Sequence, residues 1–216
     1  MIASTAWFTT EHCGYVSGNG HRYWTPSPDL ASCVEVASLV GFPLKYYSRM
    51  TDDAKSCLCA ASLAMRAADW LDSTAYEIGA LSSGCAGYIQ AQREYFSDYV
   101  INGRTLGRAS LFIYTLPTSV LGEIAIPLHL TGPTMHIQAE DRPLATLLQQ
   151  AEQLITDHEA DGMLGLWSDL QAVVCFAVAS FATPSQLTFA PELLETTPLN
   201  IARHLALLAR MEPNNP

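Results

Sequence analysis

Strand-like and helix-like segments alternate along this chain of 216 residues, and that alternation limits the possible folds more than any other feature. Strands are predicted at residues 2–8, 75–84, 135–140, 162–169 and 172–181. Helices are predicted at residues 51–72, 89–103, 144–158 and 198–211. Strands that alternate with helices pack as a sheet between helix layers. The sequence therefore predicts an α/β fold in a single domain covering residues 1–216.

Three stretches have weaker patterns. Residues 12–32 are rich in glycine, serine, proline and aromatic residues and are predicted to form a loop. Residues 109–121 are apolar but irregular. The stretch EIAIPLHL at 123–130 fits a helix or a strand, and Pro127 weakens both interpretations.

The charge balance excludes one class of partner. The net charge is −10, the sequence pI is about 4.9, and no run of five basic residues occurs, which argues against nucleic-acid binding. Hydrophobic residues make up 49% of the chain and charged residues only 15%. A large surface buried against a partner would explain this composition, because obligate interfaces resemble a core cut in half.

The sequence favours a cytoplasmic protein without a membrane span. The stretch MIASTAWFTTEH at 1–12 has neither the cationic head nor the apolar run of a signal peptide. The most apolar stretch, AVVCFAVASFA at 172–182, is too short to cross a bilayer as a helix, and its composition suits a buried strand.

The cysteines indicate core thiols rather than a metal site or a disulfide framework. Their spacing contains no CxxC pair, and no histidine pair stands at metal-binding spacing. The six are Cys13, Cys33, Cys57, Cys59, Cys85 and Cys175. We expect them to be reduced, and we expect no metal and no cofactor.

The stretch TGPTMHIQAEDRPLATLL at 131–148 predicts a strand, a sharp turn and a helix, an arrangement on which many enzymes mount a nucleophile. The turn holds Glu140 and Asp141 but no serine, cysteine or threonine. Asp141 is explained as the helix N-cap, with Pro143 in the first turn. A carboxylate in that position keeps a low pKa and makes a poor general acid.

This stretch resembles the β-ketoacyl synthase family of the thiolase-like fold. In that family a Gly-Pro pair precedes a strand, and the nucleophilic cysteine follows eight residues after the proline; here Gly132-Pro133 is followed by Asp141. Further similar segments stand in register, namely the helix at 51–72, YEIGALSSGCAG at 76–87, LPTSVLGEIAIPLHLTGP at 116–133, and Glu159-Ala160-Asp161 before GMLGLWSD. The resemblance covers residues 45–170 and implies half of a thiolase-like layered αβα fold, with an extra strand and a terminal helix at 171–216.

The departures from the family pattern imply a non-catalytic chain. The nucleophile position holds Asp141, which would form a mixed anhydride that hydrolyses and would repel a developing oxyanion. The family's second half supplies two catalytic histidines. Beyond Asp141 this chain has only His158 and His204, neither in a similar context.

The resemblance implies a chain length factor: a catalytically inactive relative that forms a heterodimer with a separately encoded, full-length ketosynthase. Compact versions of this kind are associated with aryl polyene-type pigment clusters. By the same resemblance the dimer interface would include Met135, His136, Ile137 and Gln138. Phe112, Tyr114 and Leu116 would point towards the partner's acyl tunnel, and an acyl carrier protein would bind the complex transiently.

Three other interpretations remain open. The chain could be a small acyl-thioester hydrolase or decarboxylase that uses Asp141 or Glu140 with His136 as a base. It could be a homodimeric scaffold without an acyl ligand. Phe112, Tyr114 and Leu116 could also simply fill this chain's own core.

Overall fold

The computed structural model describes residues 1–25, 47–71, 76–84, 86–105, 107–180 and 197–211. Seven strands lie in this part of the chain: β1 (Ile2–Thr9), β2 (Cys13–Ser17), β3 (Gly20–Trp24), β4 (Ile78–Ser83), β5 (Thr134–His136), β6 (Gly162–Ser168) and β7 (Ala172–Ala179). They form one mixed sheet in the order β3-β2-β1-β7-β6-β4-β5. Strands β4, β5 and β6 are parallel to one another, and the remaining pairs are antiparallel.

The described helices are α1 (Asp52–Ala67), α2 (Ala86–Ile101), α3 (Ala109–Phe112), α4 (Ser119–Ala125), α5 (Pro143–Thr156) and α6 (Pro198–Met211), with 3₁₀ turns at Tyr47–Arg49 and Ile113–Thr115. Helix α1 covers one face of the sheet, where it contacts β1, β2, β6 and β7. Helices α5 and α6 cover the opposite face. The predicted α/β fold is therefore confirmed, as three layers with the sheet in the middle.

The centre of the sheet is apolar because both of its faces are covered. All eight residues of β7 are buried, and its side chains alternate between the two core clusters: Cys175 lies on the α1 side and Phe176 on the α5 side. Strand β7 was expected as an addition beyond the family resemblance, yet it pairs with β1 and β6 in the middle of the sheet.

Helix α1 begins as its sequence predicts. The Oγ1 of Thr51 accepts a hydrogen bond from the Ala54 N–H at 3.3 Å, and two acidic residues occupy the first turn. Both features satisfy or stabilise the positive end of the helix. The eleven buried residues of α1 are mostly alanine, leucine and cysteine, so the helix approaches the sheet closely.

The loop predicted over 12–32 is wrong for its first half. Strands β2 and β3 form a hairpin in which Ser17 pairs with Gly20, leaving Gly18 and Asn19 as a two-residue loop. The residue that takes a positive φ here is Gly20, directly after the loop, where a glycine carries no steric penalty. The rest of that prediction, like Cys33, falls on residues 26–46 and lies outside the described part.

The described cysteines confirm the core-thiol prediction. Cys13, Cys57, Cys59 and Cys175 are buried and form no disulfide. Burial raises the pKa of the Cys59 thiol to about 12, and it raises the pKa values of Cys57 and Cys175 as well. Buried thiols of this kind are chemically inert. Cys85 lies outside the described residues.

A cluster of aromatic and polar side chains, buried at Trp7 and His12 and exposed at Arg210, connects α6 to the N-terminal strands. The Trp7 indole N–H donates to Nδ1 of His12 at 3.0 Å, and the His12 ring lies 5.7 Å from that of Tyr23. Arg210 of α6 stacks on the Tyr23 ring with its guanidinium carbon 4.5 Å from the ring centroid. Burial, followed by the charge of Arg210, lowers the pKa of His12 below its ordinary value of 6.5.

We expect stability to fall as the pH drops below about 6.5. The fold favours neutral His12, so as the pH falls the unfolded chain binds a proton at this residue before the folded chain does. The contribution of neutral His12 to the free energy of unfolding is therefore complete above pH 6.5 and is lost as the pH falls towards the lowered pKa. Urea unfolding at pH 7.5, 6.5 and 5.5 measures this dependence. His12→Asn keeps an acceptor for Trp7 but cannot titrate, so its free energy of unfolding should depend less on pH. The exposed His158→Gln is the control, and equal slopes in all three proteins would contradict the assignment.

None of the helices in the described part of the chain combines the length and the apolar character that a bilayer crossing needs.

Candidate functional site

The parallel strands β4, β5 and β6 end at one edge of the sheet, beside the start of α5. Ligand sites in open α/β sheets lie outside the carboxyl ends of such strands. Here that edge borders a cavity of about 740 Å³. Its apolar walls are formed by Ile89, Ala139, Pro143, Trp167, Leu170 and Pro198. The cavity thus has the size and lining of a site for a small organic ligand.

His136, at the end of β5, is a titratable group held by two side chains at this edge. Its Nδ1 lies 2.9 Å from the Oγ of Ser82, the residue opposite it on β4. The Tyr88 ring of α2 contacts the imidazole edge-on, with the ring centroids 5.8 Å apart. Burial lowers the pKa of His136 and so favours its neutral form. His136 also lines the cavity.

The predicted role of Asp141 as helix N-cap is wrong. Helix α5 begins at Pro143, and its N-cap is Arg142, which has φ +49° and makes no side-chain capping hydrogen bond. The left-handed conformation of Arg142 turns the chain sharply just before the helix, so Asp141 lies outside the capping position. Asp141 and Glu140 are both exposed, and the side chain that pairs with His136 is Ser82 rather than either carboxylate.

Asp141→Ala is therefore expected to change the free energy of unfolding by less than about 0.5 kcal/mol, the usual range for exposed positions without a specific contact. Thr51→Ala provides the contrast, because it removes an observed cap and should cost about 0.5–2 kcal/mol. Chemical unfolding of the two variants measures the difference. A loss for Asp141→Ala as large as that for Thr51→Ala would contradict the placement of the cap at Arg142.

The residues predicted to face a partner's tunnel divide into two groups. Phe112 and Leu116 are 49% and 48% exposed, and Ile113 between them is 52% exposed. Tyr114 instead packs against the α1-side core, and its hydroxyl donates to the Glu123 carboxylate at 2.7 Å. Burial and that carboxylate raise the pKa of Tyr114 to about 12. The core-filling interpretation thus holds for Tyr114 but not for Phe112 or Leu116.

Of the residues predicted as an interface, Met135 and His136 lie on the outermost strand at one end of the described sheet, and Ile137 and Gln138 directly follow it. Met135 and Gln138 are exposed, whereas Ile137 packs against the α5-side core. The strand is shorter than the predicted 135–140 and ends at His136. Helix α4 contacts both β5 and the turn Ile113–Thr115, so the edge and the exposed apolar turn belong to the same region of the molecule.

The orientation of the β5 backbone follows from its bonds to β4. The Pro133 carbonyl accepts from Ala80, and the Ile137 N–H donates to Ser82. Backbone groups alternate between the two sides of a strand, so those of Thr134 and His136 point away from β4. They form the unpaired outer side of this edge in the described part of the protein.

Ser82 is the residue that sequence reasoning missed. It belongs to the stretch Ser82-Ser83-Gly84, where a strand ends just before a helix, and that placement was the available signal. Its partner is 54 positions away, and only the parallel register of β4 and β5 brings the two together.

Comparison with solved structures identifies the fold. A β-ketoacyl synthase from Burkholderia phymatum STM815 matches with a TM-score of 0.61 at 12% identity, over 83% of this chain and 58% of that one. The ishigamide ketosynthase/chain length factor matches with 0.60 at 12%, over 85% and 63%. The complex of the ketosynthase ApeO with its chain length factor ApeC from Xenorhabdus doucetiae matches with 0.52 at 12%, over 76% and 72%.

This chain spans about three fifths of the first two of these structures. No protein-family model matches it, and no curated protein matches its sequence. At 12% identity the likeness establishes the fold, so the thiolase-like layered architecture implied by the sequence is confirmed.

Proposed function

We propose that this chain is a non-catalytic chain length factor, which forms a heterodimer with a separately encoded ketosynthase and shapes the partner's acyl tunnel. The observation that carries the proposal is the unpaired outer side of β5 beside the exposed apolar turn at 112–116. Two structural neighbours include a chain length factor by name, which supports the same function. Polyketide or aryl polyene-type biosynthesis is the setting we propose for the complex.

The edge strand supports assembly with a second chain. An outer strand with unpaired N–H and C=O groups is a template for pairing with another strand. Strand β5 spans only three residues, so the ladder that it offers is short. It carries no lysine, proline or bulge to block pairing, and Met135 adds an exposed apolar side chain. A partner strand laid along β5 would extend the sheet across the interface.

Exposed apolar side chains on the turn at 112–116 and on α2 support a large interface. Phe112, Ile113 and Leu116 are each about half exposed, and Phe96 and Ile101 of α2 are 63% and 79% exposed. The Tyr95 ring of α2 contacts Phe112 edge-on, which joins the helix to the turn. Clustered exposed apolar side chains mark interaction sites. An obligate interface here would bury more than about 2,000 Å² in total.

The described residues also support the non-catalytic assignment. A condensing enzyme needs a thiolate to carry the acyl chain. The pKa values of Cys57, Cys59 and Cys175 are all raised by burial, which keeps these thiols protonated. Asp141 is exposed at the turn, where a carboxylate serves poorly as an acyl carrier.

Co-expression with a ketosynthase encoded next to this chain tests the proposal. We expect the two to elute together in size-exclusion chromatography, and we expect carrier-bound products of defined length only when both are present. An acyl carrier protein supplies the substrates in this assay and binds transiently. A monodisperse monomer that ignores the ketosynthase would contradict the proposal, and a homodimer would favour the scaffold alternative.

A further inference from the structure

The last residue of β4, Ser83, carries a buried hydroxyl group. The residue is 2% exposed, and its Oγ makes no hydrogen bond within the described part of the chain. Buried hydroxyl groups in folded proteins are nearly always hydrogen-bonded, because an unmatched one has lost its hydration without compensation. The unmatched Ser83 hydroxyl therefore indicates a place where a bound molecule supplies the missing partner.

The Ser83 side chain lies on the sheet face that borders the cavity of about 740 Å³. Alternate residues of a strand share one face of the sheet. Leu81, two residues before Ser83, belongs to the α5-side core, as does Trp167, which pairs with Ser83 in register. Ser83, Trp167 and Pro143 of α5 all line the cavity. The unmatched hydroxyl and the cavity are therefore on the same side of the sheet and adjoin each other.

The charges around the cavity favour a neutral ligand. Its lining holds one guanidinium, that of Arg93, and two carboxylates, those of Glu140 and Asp169. Arg93 and Glu140 are exposed, so both remain hydrated. The whole chain carries a net charge of −10, which repels an anion further. An ionised ligand would lose its hydration on entering the apolar part of the cavity without gaining a buried counter-charge among these residues.

We propose that this cavity is a binding site for a small, neutral aromatic ketone, whose carbonyl oxygen accepts a hydrogen bond from the Ser83 hydroxyl. Trp167, Pro143 and Pro198 supply ring surfaces for the aromatic part, and Leu170 adds an aliphatic wall. A mostly apolar lining with a few placed polar groups is typical of small-molecule sites of this volume. The ligand is bound without any covalent step. The site belongs to this chain alone and is separate from the control of chain length in a partner.

Titration of the full-length protein with 4-phenyl-2-butanone tests the class of ligand. Calorimetry should show saturable binding to one site, and the ketone should raise the Tm because it binds only the folded chain. The carboxylate 3-phenylpropanoate has nearly the same shape and should bind at least about tenfold more weakly, since its charge must be desolvated. Absence of saturable ketone binding, or tighter binding of the carboxylate, would overturn the inference.

Ser83→Ala tests the hydrogen bond. It should weaken ketone binding at least about fivefold, because the ligand's carbonyl is left unmatched in the cavity. It should also raise the Tm of the unliganded protein, because an unmatched buried hydroxyl is removed. Ser62→Ala is the matched control for affinity: Ser62 is buried in α1, where its Oγ donates to the Leu58 carbonyl at 2.7 Å. Equal ketone affinity in the wild type and Ser83→Ala, or a lowered Tm for the unliganded variant, would contradict the assignment and leave an ordered water as the partner of Ser83.

Leu170→Ala tests the apolar wall. Leu170 is 78% exposed, so its replacement should not disturb folding, yet it should weaken ketone binding. Leu207→Ala trims a leucine of α6 that is 57% exposed and does not line the cavity, and it should leave the affinity unchanged. Equal effects of the two variants would count against the site. Co-elution with a ketosynthase does not depend on these side chains, so the proposed function stands or falls separately. If the protein is obtained only as the complex, the titrations compare complexes that differ only at these positions, which cancels binding by the partner.

Discussion

Thr134→Pro is expected to reduce co-purification with the partner ketosynthase sharply while leaving this chain folded. The Thr134 N–H points away from β4, so the proline removes no hydrogen bond within the sheet. It does remove a donor from the proposed intermolecular ladder, where a proline also obstructs pairing. One unmatched carbonyl at the interface costs about 1–3 kcal/mol. That corresponds to roughly a tenfold to hundredfold loss of affinity before any steric effect is added.

Thr134→Val is the matched control because it keeps the N–H and the branched shape. Its co-purification should equal that of the wild type, and circular dichroism with thermal unfolding should show all three proteins folded. A substitution such as Ile137→Asp would be a weaker test. Ile137 also packs against the α5-side core, so its replacement would disturb folding as well as pairing at the edge. A complex of undiminished yield with Thr134→Pro would exclude assembly through β5.

Phe112→Ala and Leu116→Ala are expected to lengthen the dominant product of the assembled complex. Both side chains project from the surface, so trimming them removes little from this chain's own core. If they close the floor of the partner's tunnel, each smaller side chain opens space for further two-carbon units. Close-packed interiors resist overfilling at about 1–3 kcal/mol, so removal of a bulky group changes which chain lengths fit. Mass spectrometry of carrier-bound products from intact complexes measures the shift.

Two variants control for effects unrelated to the tunnel. Tyr114→Phe removes a hydroxyl that bonds to Glu123 inside this chain, so product length should not change. Leu207→Ala trims an apolar side chain that is 57% exposed on α6. It should also leave the length distribution unaltered. Unchanged products from Phe112→Ala and Leu116→Ala would leave this chain as a stabilising partner only.

Local patterns predicted most of the elements but not their neighbours. Thr51 and the acidic residues after it predict the start of α1, and the apolar runs at β6 and β7 predict buried strands. These predictions succeed because capping and burial depend on a few neighbouring residues. The place of β7 between β1 and β6 depends on pairing over long distances, which no local pattern encodes.

The errors also have physical causes. The Gly18-Asn19 loop was missed because glycine and serine around a tight hairpin resemble a longer loop. The observed N-cap is Arg142 rather than the predicted Asp141. Arg142 adopts a left-handed conformation that few residues other than glycine and asparagine take, so the sequence did not indicate the turn at this position. At the site, His136 could be proposed from its position beside a turn. The place of Ser82 at a strand end was the available signal for that residue, but its pairing with His136 exists only through the register of two parallel strands.

The pairing of β1 with β7 has a consequence for biogenesis. Ala6 pairs with Cys175, so a strand made early acquires one of its two neighbours only after some 169 further residues have left the ribosome. Contacts between positions so far apart carry a high loop-closure cost and slow the folding of a domain. Until β7 pairs with it, β1 has a free edge, and its apolar side chains, including Trp7, are not yet buried. We therefore expect the nascent chain to depend on chaperones and to fold only after translation of β7, so that ribosome-bound chains ending before residue 172 remain protease-sensitive.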